Sequence, residues 1–211
     1  KLKEVAEIIG GGTPSTAVEE YWNGNIPWLT PRDLTNHSYN YIDKGERSIT
    51  ELGLRNSSTR LLPEGSVLMT SRAPIGYLAI AENPICTNQG FKSFITDNKK
   101  VNNQFLFYLL KNNIEYIKSL GTGTTFAEVS GSTLKKIEFE IPEDLSIQSR
   151  IASILSSLDD KIELNLQMNK TLEAISQAIF KEWFVDFRFP GFEGELVYGL
   201  PNGWKKVQLS H

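Results

Sequence analysis

The chain has 211 residues, a formal net charge of −3, 40% hydrophobic residues and a single cysteine, Cys86. This length fits one domain of ordinary size, with or without an appendage, and the cysteine count excludes an internal disulfide or a cysteine metal cluster. Because no apolar run approaches the ~20 residues of a membrane span and no signal-peptide pattern opens the chain, we expect a cytoplasmic protein without membrane contact. Acidity counts against nucleic-acid binding but does not exclude it, since binding depends on local clustering of charge.

The first part of the chain is predicted to be a mixed α/β domain rich in short strands. β-Prone and alternating apolar runs predict strands at residues 1–5, 67–70, 77–80, 91–96 and 134–141. The first strand leads into a Gly-rich loop at residues 10–14, and Pro74 and Gly76 mark a turn between the second and third. One amphipathic helix is predicted within residues 102–118, with Asn102 or Asn103 as its cap and Phe105, Tyr108, Leu109 and Ile117 toward the core.

A long helix is predicted from an N-cap at Ser146 to about Val185, a stretch without Gly or Pro. Its apolar residues are spaced alternately three and four apart, which is a heptad pattern, and the polar residues Lys161 and Asn165 on the same stripe can fix register and partner choice. Forty helical residues extend roughly 60 Å, more than a domain of this size needs for its own core. We therefore predict a coiled coil with a second copy of this unit; a long helix packed on its own domain is the alternative. The predicted dimer seam is Ile151, Ile154, Leu158, Asn165, Met168, Leu172, Ile175 and Ile179.

Aromatic residues are dense where this helix is predicted to end. Trp183, Phe184, Phe187 and Phe189 all fall within seven residues, shortly after Phe180. Such a cluster is costly to leave in water. Two interpretations stay open: a docking surface for another protein, or packing against the chain's own domain or a partner helix.

No catalytic pattern emerges from the sequence. It has no Gly-x-Gly-x-x-Gly motif and no phosphate-binding loop, and the Gly/Thr-rich run at residues 121–125 lacks the lysine that would hold a phosphate. The two histidines, His37 and His211, belong to no metal-ligand or triad pattern. We expect a non-catalytic protein with no metal and no cofactor of its own.

Polar side chains accumulate instead in turn-like segments. Arginine can read guanine with two hydrogen bonds, Asn or Gln can read adenine, and Thr can contact bases or phosphates. For any single position, turn chemistry or a solvated surface is the simpler explanation, and Asn88 and Gln89 can serve to hold the turn at Arg72. The predicted DNA-binding residues are Thr30, Arg32, Asn36, Ser71, Arg72, Asn88, Gln89, Lys92, Thr122, Thr124 and Thr125.

Several of these segments resemble the signatures of one family, the specificity subunits of type I restriction-modification systems. Residues 11–15 with 20–28 and 33–34 are similar to the first signature of its target recognition domain, 71–76 with 87–91 to the central one, and 123–126 with Val129 and 134–135 to the closing one. Residues 158–162, Asn165 and Asn169 resemble the family's spacer helix, and 183–187 resemble its end. The resemblance covers nearly the whole chain.

The resemblance implies a division of labour. A target recognition domain reads one half of a split sequence in double-stranded DNA, and two antiparallel spacer helices set the distance between the halves. DNA adenine methyltransferase subunits dock on the specificity subunit and methylate with S-adenosylmethionine, and a restriction subunit can join. We accordingly expect an α+β target recognition domain at residues 1–143, a spacer helix at 144–189, and a linker with the start of a second repeat at 190–211. The predicted methyltransferase docking residues are Trp183, Phe184, Phe187 and Phe189.

The chain departs from the family pattern, which has two target recognition domains and two spacer helices. Its tail, residues 209–211, can be aligned with residues 2–4, as if another copy began there. We therefore expect either a fragment or a half-subunit that pairs with itself, and a symmetric pair would recognise an inverted repeat. Two other hypotheses remain: the recognition module of a fused restriction-methyltransferase enzyme, and a coiled-coil scaffold without a nucleic-acid role.

Overall fold

The computed structural model describes residues 1–35, 37–123, 127–197, 199–205 and 207–208. The helices of this part are α1 (Leu2–Val5), α2 (Pro31–Thr35), α3 (Glu51–Arg55), α4 (Asn103–Asn112), α5 (Ile114–Ser119), α6 (Gly131–Leu134) and α7 (Leu145–Phe180). Its strands are β1 (Ala6–Gly10), β2 (Trp22–Leu29), β3 (Tyr41–Ile42), β4 (Arg47–Ile49), β5 (Val67–Ser71), β6 (Ile75–Ala81), β7 (Cys86–Thr87), β8 (Phe91–Thr96), β9 (Leu196–Val197) and β10 (Leu200–Pro201). This mixed α/β content followed by a long helix confirms the predicted fold class.

The described chain divides into two compact units, Lys1–Asp160 and Lys161–His211. The predicted domain boundaries at 143/144 and 189/190 are drawn from sequence motifs and not from contacts in the fold. They stay a prediction. Among the described residues, no helix combines the length and the apolar character that a membrane span requires.

Two sheets organise the first unit. The larger has the strand order β1-β8-β5-β6-β3, antiparallel except for the parallel pair β3 and β6. The smaller has the order β4-β2-β7, with β2 antiparallel to β4 and parallel to β7. β7 ends at Thr87 and β8 begins at Phe91, so the short segment between them joins the two sheets.

The central strand β5 is buried on both faces, and its side chains alternate between two cores. Val67 and Met69 pack with Phe94 and with α4, α5 and α6, whereas Leu68 packs with Phe91 and with Leu29 from β2. A third core surrounds Trp22, Trp28 and Ile49 in the smaller sheet. This two-sided burial explains why β5 reads as a continuous apolar run rather than as an alternating one.

Two predicted strands are corrected. Residues 2–5 form the short helix α1, in which the terminal ammonium pairs with Glu4 at 2.8 Å and Leu2 is buried. Residues 134–141 begin at the end of α6 and continue without strand pairing, although Ile137 is buried and its carbonyl accepts a hydrogen bond from the Leu2 amide at 2.9 Å. The alternation there reflects which side chains are buried and not a β-ladder.

The helix predicted within 102–118 is two helices, α4 and α5, separated at Asn113. Asn102 caps α4, since its side chain accepts a hydrogen bond from the Phe105 amide at 2.9 Å. Phe105 and Ile117 are buried as predicted, and Tyr108 and Leu109 pack against the same core while staying partly exposed.

The long helix α7 begins one residue earlier than predicted, and Ser146 is not its cap. The carboxylate of Asp144 accepts a hydrogen bond from the Ser146 amide at 2.7 Å, and hydrogen bonds with Ser146 hold the pKa of Asp144 below its usual range. Gln148 in the first turn is fully buried; its amide nitrogen donates to the carbonyls of Lys100 and Pro142, and its oxygen accepts from the Asn102 amide. After Phe180 the helix widens into a π-helical turn, Lys181–Val185, that completes the predicted length.

A second anchor of α7 lies at the end of the first unit. The Asp159 carboxylate accepts hydrogen bonds from Asn40 Nδ2 at 2.8 Å, Tyr108 Oη at 3.0 Å and Lys111 Nζ at 3.2 Å. Burial raises the pKa of Asp159, but the hydrogen bonds from Asn40, Lys111 and Tyr108 outweigh it and lower the pKa overall. Burial and the neighbouring carboxylate raise the pKa of Tyr108. Asp159 thus joins α7 to α4 and to the segment before β3.

Candidate nucleic-acid interface

The turn between β5 and β6 carries Arg72 and is held from inside by Thr70. The Thr70 hydroxyl donates to the Pro74 carbonyl at 2.7 Å and accepts from the Tyr77 amide at 2.9 Å. Ser71 is fully buried, so its polar atoms serve the scaffold: its amide and its hydroxyl both donate to the Gly90 carbonyl, at 2.7 and 3.2 Å. The turn at Arg72 is therefore fastened to the segment between β7 and β8.

That segment, residues 87–90, is itself closed by an internal hydrogen bond. The Asn88 side chain accepts from the Gly90 amide at 2.8 Å, and the Asn88 amide donates to the Leu29 carbonyl at 2.8 Å. Gln89 is exposed between them. Asn88 is occupied by this turn, while Gln89 is placed outward.

The Gly-rich loop lies directly against the same segment. A Cβ on Gly11 would come within 2.0 Å of the Asn88 carbonyl oxygen, so only glycine fits this approach. The indole Nε1 of Trp28 donates to the Gly12 carbonyl at 2.9 Å, and the Thr13 hydroxyl donates to Gln89 Oε1 at 2.5 Å. The buried Trp28 indole thus fixes the loop backbone, and Thr13 of the loop contacts Gln89 at the surface.

Helix α2 borders the other side of the segment. A Cβ on Gly90 would lie 2.7 Å from Pro31 Cγ, which shows how closely the proline ring packs against the Gly90 backbone. The Thr30 amide and hydroxyl both donate to the Asp33 carboxylate, at 2.7 and 2.8 Å, so Thr30 shapes the start of this helix. Arg32 is exposed and has no hydrogen bond or ion pair with the residues that the structure describes.

Charged residues meet where β8 runs past the turn at Arg72. Lys92 Nζ lies 3.0 Å from the Glu128 carboxylate and 3.4 Å from the Ser71 hydroxyl, and Arg72 Nη1 lies 3.5 Å from the same carboxylate. Glu128 is fixed by its backbone, which exchanges hydrogen bonds of 3.0 and 2.9 Å with Thr122. The Val129 amide donates to the Ser71 carbonyl at 3.0 Å.

The predicted residues are therefore brought together along one continuous set of contacts. Five separate parts of the sequence contribute to it: the Gly-rich loop, α2, the β5–β6 turn, the segment before β8, and the pair Thr122 and Glu128. We call its outward side chains the candidate DNA face: Thr13, Arg32, Arg72, Gln89, Lys92, Thr122 and Glu128. Thr30, Ser71 and Asn88 lie beneath it as supports. Asn36, Thr124 and Thr125 lie outside the described residues.

The arrangement contains no chemistry of a conventional active site in the part of the chain that the structure describes. No three His, Cys, Asp or Glu side chains among these residues are placed to hold a metal ion. Burial raises the pKa of the Cys86 thiol to about 11, so the sulfur stays protonated and unreactive at neutral pH. Among the described residues, the candidate DNA face presents hydrogen-bond donors and acceptors, the cations Arg72 and Lys92 paired with Glu128, and the unpaired cation Arg32.

The predicted seam on α7 is exposed along its length. Its apolar members range from 38% exposed at Ile151 to 61% at Ile154, and the buried residues of the helix are Gln148 and Ala152 alone. A row of large aliphatic side chains this exposed is typical of a surface that another helix covers.

The predicted docking residues are arranged around a tryptophan of the tail. In the second unit, the Trp204 ring lies 6.1 Å from Phe184, 5.3 Å from Phe187 and 6.4 Å from Phe189, measured between ring centroids. Trp183 has no ring contact among the described residues and is 38% exposed. The cluster is thus partly covered by its own chain, while Trp183 and Phe184 stay open.

Comparison with known proteins decides the family. The model of the type I restriction modification DNA specificity domain matches residues 1–174, most of the chain. The chain belongs to this family. It is 46% identical to the type I restriction enzyme MjaIX specificity subunit of Methanocaldococcus jannaschii over 99% of this chain and 50% of that protein. It is also 46% identical to the HindI specificity subunit of Haemophilus influenzae, over 40% of this chain and 19% of that protein.

The fold of this specificity domain has counterparts among solved structures. The S subunit of a type I restriction-modification system from M. genitalium superposes with a TM-score of 0.62 at 18% identity, over 87% of this chain and 44% of that one. The specificity domain described here thus spans about half the length of the relatives it matches. The resemblance identified from sequence motifs is confirmed.

Two residues that contact the predicted site residues were not predicted from the sequence. Glu128 makes ion pairs with residues that are 36 or more positions away, and nothing in its local sequence marks it. Trp204 belongs to the tail, which the motifs assigned to a second repeat. Residues 202–203 form a turn, residues 204, 205, 207 and 208 form no strand, and 209–211 lie outside the described residues.

Proposed function

We propose that this specificity domain is a non-catalytic, sequence-specific DNA-recognition module that reads one half of a bipartite site. The observation that carries the proposal is the convergence of polar side chains from five sequence segments on one face, supported from below by Thr30, Ser71 and Asn88. Side chains held on rigid supports are what base reading requires, since hydrogen-bond patterns in the major groove discriminate only at fixed geometry. The family membership supports the same conclusion.

The acidic total does not oppose this function. Arg32, Arg72 and Lys92 gather on the candidate DNA face, whereas many carboxylates, such as Glu82 and Asp160, are exposed elsewhere on the unit. Because exposed charges more than ~10 Å apart are screened at 0.1 M salt, the face acts through its local charge.

We further propose that the exposed seam of α7 pairs with a second copy of the unit, and that the open aromatics near Trp183 help to dock methyltransferase subunits. In this arrangement the partner subunits methylate adenine, a restriction subunit can join, and the specificity domain needs no cofactor. It would act in the cytoplasm, where those partners meet DNA. The domain division at residues 143 and 189 belongs to the same proposal.

The test is selection from a pool of 40-base-pair duplexes with a randomised centre, using the chain alone and in complex with its methyltransferase. We expect enrichment of one short motif, repeated in inverted orientation if the chain pairs with itself. A pool that shows no enrichment, together with binding to no duplex at 50 mM salt, would contradict DNA recognition and favour the scaffold hypothesis. Enrichment only with a methyltransferase fused to the chain would favour the fused-enzyme hypothesis.

A further inference from the structure

The paired cations of the candidate DNA face share one carboxylate. Glu128 lies 3.0 Å from Lys92 Nζ and 3.5 Å from Arg72 Nη1, and its side chain is 36% exposed. Arg32, the third cation of the face, has no such partner among the described residues. Two of three potential phosphate contacts are therefore occupied in the free protein.

The position of this carboxylate is built into the fold. Reciprocal backbone hydrogen bonds with Thr122 fix Glu128 itself, and the next residue, Val129, is fully buried and bonded to the Ser71 carbonyl. The pair of Glu128 with Arg72 is more than a third exposed on both sides, and exposed ion pairs contribute little to stability. Fold stability is thus a weak reason for a carboxylate at this point, and its effect on the two cations is the stronger one.

A carboxylate accepts the same hydrogen bonds from guanidinium and ammonium groups that a phosphate oxygen accepts. We propose that Glu128 restrains DNA affinity, because it occupies in the free protein the positions that DNA phosphates take in the complex. It thereby weakens binding to arbitrary sequence. This inference rests on the proposed function.

The mechanism follows from the origin of non-specific affinity. Sequence-independent binding comes essentially from phosphate contacts. A duplex without the target sequence must therefore displace Glu128 without gaining base contacts that offset the cost. At the target site, base contacts add free energy that offsets the two lost ion pairs. Because every duplex must open the same two ion pairs, Glu128 lowers both affinities, and only a duplex with added base contacts keeps enough affinity to stay bound at physiological salt.

The test compares Glu128→Gln, which keeps the size and removes the charge, with wild type. The probe is a randomised 40-base-pair duplex, and affinity is measured from 50 to 300 mM salt. We expect Glu128→Gln to bind it about three- to tenfold more tightly, with a salt slope steeper by about one unit. The affinity for the selected duplex should rise by a similar factor, because it opens the same two ion pairs. Circular dichroism and thermal melting establish that the variant is folded.

Glu82→Gln is the matched control. Glu82 is exposed, follows β6, and makes no side-chain contact with the described residues. The Arg72 turn is at the opposite end of this seven-residue strand, about 20 Å away at ~3.3 Å per residue, which exceeds the Debye length at 0.1 M salt. Glu82→Gln removes the same charge and should bind like wild type.

A second comparison shows whether Glu128 acts through the two cations. In an Arg72→Gln, Lys92→Gln background the effect of Glu128→Gln should vanish, because interacting residues are non-additive. An equal gain in that background would overturn the proposal, as would wild-type-like or weaker binding by Glu128→Gln. A loss confined to the selected duplex would also overturn it and make Glu128 a base reader. If neither wild type nor variant binds any duplex at 50 mM salt, the proposed function itself fails and the inference falls with it.

Discussion

At the scale of single residues, the candidate site separates side chains that build loops from side chains that are free to meet a ligand. Thr30 and Asn88 donate or accept within their own turns, and Ser71 is buried against Gly90. Arg32 and Gln89 are exposed. Substitutions in the first group should affect folding. Substitution of Arg32 should affect binding alone, whereas substitution of Gln89 also removes the hydrogen bond that it accepts from Thr13.

Arg32→Ala is expected to weaken DNA binding without lowering the melting temperature. Loss of a bidentate base contact costs ~1–3 kcal/mol and relaxes the sequence preference at one position, whereas loss of a phosphate contact weakens binding to all duplexes and flattens the salt slope by about one unit. Salt titrations with the selected and the randomised duplex distinguish these results. Lys92→Ala and Arg72→Ala, measured in parallel, should show the phosphate pattern.

The control for this experiment is Arg150→Ala. Arg150 is exposed in the first turns of α7, near the buried Gln148 that is bonded to Lys100, beyond the end of β8 opposite Lys92. Its removal should leave binding unchanged. If Arg32→Ala binds every duplex like wild type, α2 does not face DNA.

Sequence alone predicted which residue types would gather at the site but not what each would do. Arg72 lies in a turn motif that marks it as an accessible cation, whereas Lys92 lies in the predicted strand at 91–96. Their partner Glu128 follows a Gly/Thr-rich run and contacts them only because β8 and the β5–β6 turn are neighbours in the folded sheet. Pairing across such sequence distances is set by the sheet order, which no local pattern contains.

At the scale of elements, Asp159 is the contact on which the attachment of α7 to α4 depends. Asp159→Ala leaves Asn40, Tyr108 and Lys111 without their shared acceptor, and we expect the free energy of unfolding to fall by about 1–3 kcal/mol. Urea denaturation followed by circular dichroism measures this change. Asp160→Ala, at the exposed neighbouring position, should change stability by less than about 0.5 kcal/mol. Equal effects of the two substitutions would contradict the assignment.

The same contact gives the stability a defined dependence on pH. Because the pKa of Asp159 is lowered in the folded protein, its contribution is fully present above the unfolded pKa, ~3.9, and is lost as the pH falls through the folded value. The stability difference between wild type and Asp159→Asn should therefore be largest near neutrality and shrink in acid. A difference that stays constant from pH 7 to pH 3 would show that the charge of Asp159 is not involved.

The strands predicted correctly have both a strand-like sequence pattern and a hydrogen-bonded neighbouring strand in the fold. β5, β6 and β8 combine β-prone residues with flanking turns, and all three pair in the larger sheet. The failure at 134–141 is a segment in which apolar residues alternate without a neighbouring strand, whereas at 2–5 the apolar Leu2 and Val5 are three residues apart and lie in a helical turn. The cap of α7 was misplaced because Ser146 and Asp144 are both good N-caps, and the choice depends on where Gln148 is buried.

At the scale of the whole molecule, self-association through α7 is the first expectation. Leu158 and Leu172 are 59% and 60% exposed on the seam, and burying a large aliphatic side chain contributes ~1.5–3 kcal/mol. Leu158→Asp with Leu172→Asp should convert a dimer to a monomer in sedimentation equilibrium. Ser156→Asp with Lys170→Asp, off the apolar stripe, should leave the dimer intact. A wild type that stays monomeric at high concentration would argue against the seam.

Methyltransferase docking is the second expectation at this scale. Trp183 is exposed and outside the ring contacts around Trp204, so Trp183→Ala should weaken capture of the cognate methyltransferase while the fold stays unchanged. Phe187→Ala should weaken capture too, but with a loss of stability, because Phe187 packs on Trp204. Tyr116→Ala, an aromatic of 50% exposure on α5, is the control. Unchanged capture by Trp183→Ala would make the cluster a purely structural feature.

The uneven burial of α7 has a consequence for when the helix is ordered. Gln148 and Ala152 tie its first two turns to the core, and Asp159 adds one contact at the fourth, whereas the later turns bury no side chain of their own. Isolated helical segments are marginal in water and gain most of their stability from packing. If α7 pairs with a second copy as proposed, its later turns gain stability from that neighbour, and helix completion and pairing are then one coupled equilibrium. The spacer helix between two half-sites would then reach its full helical length only in the assembled protein.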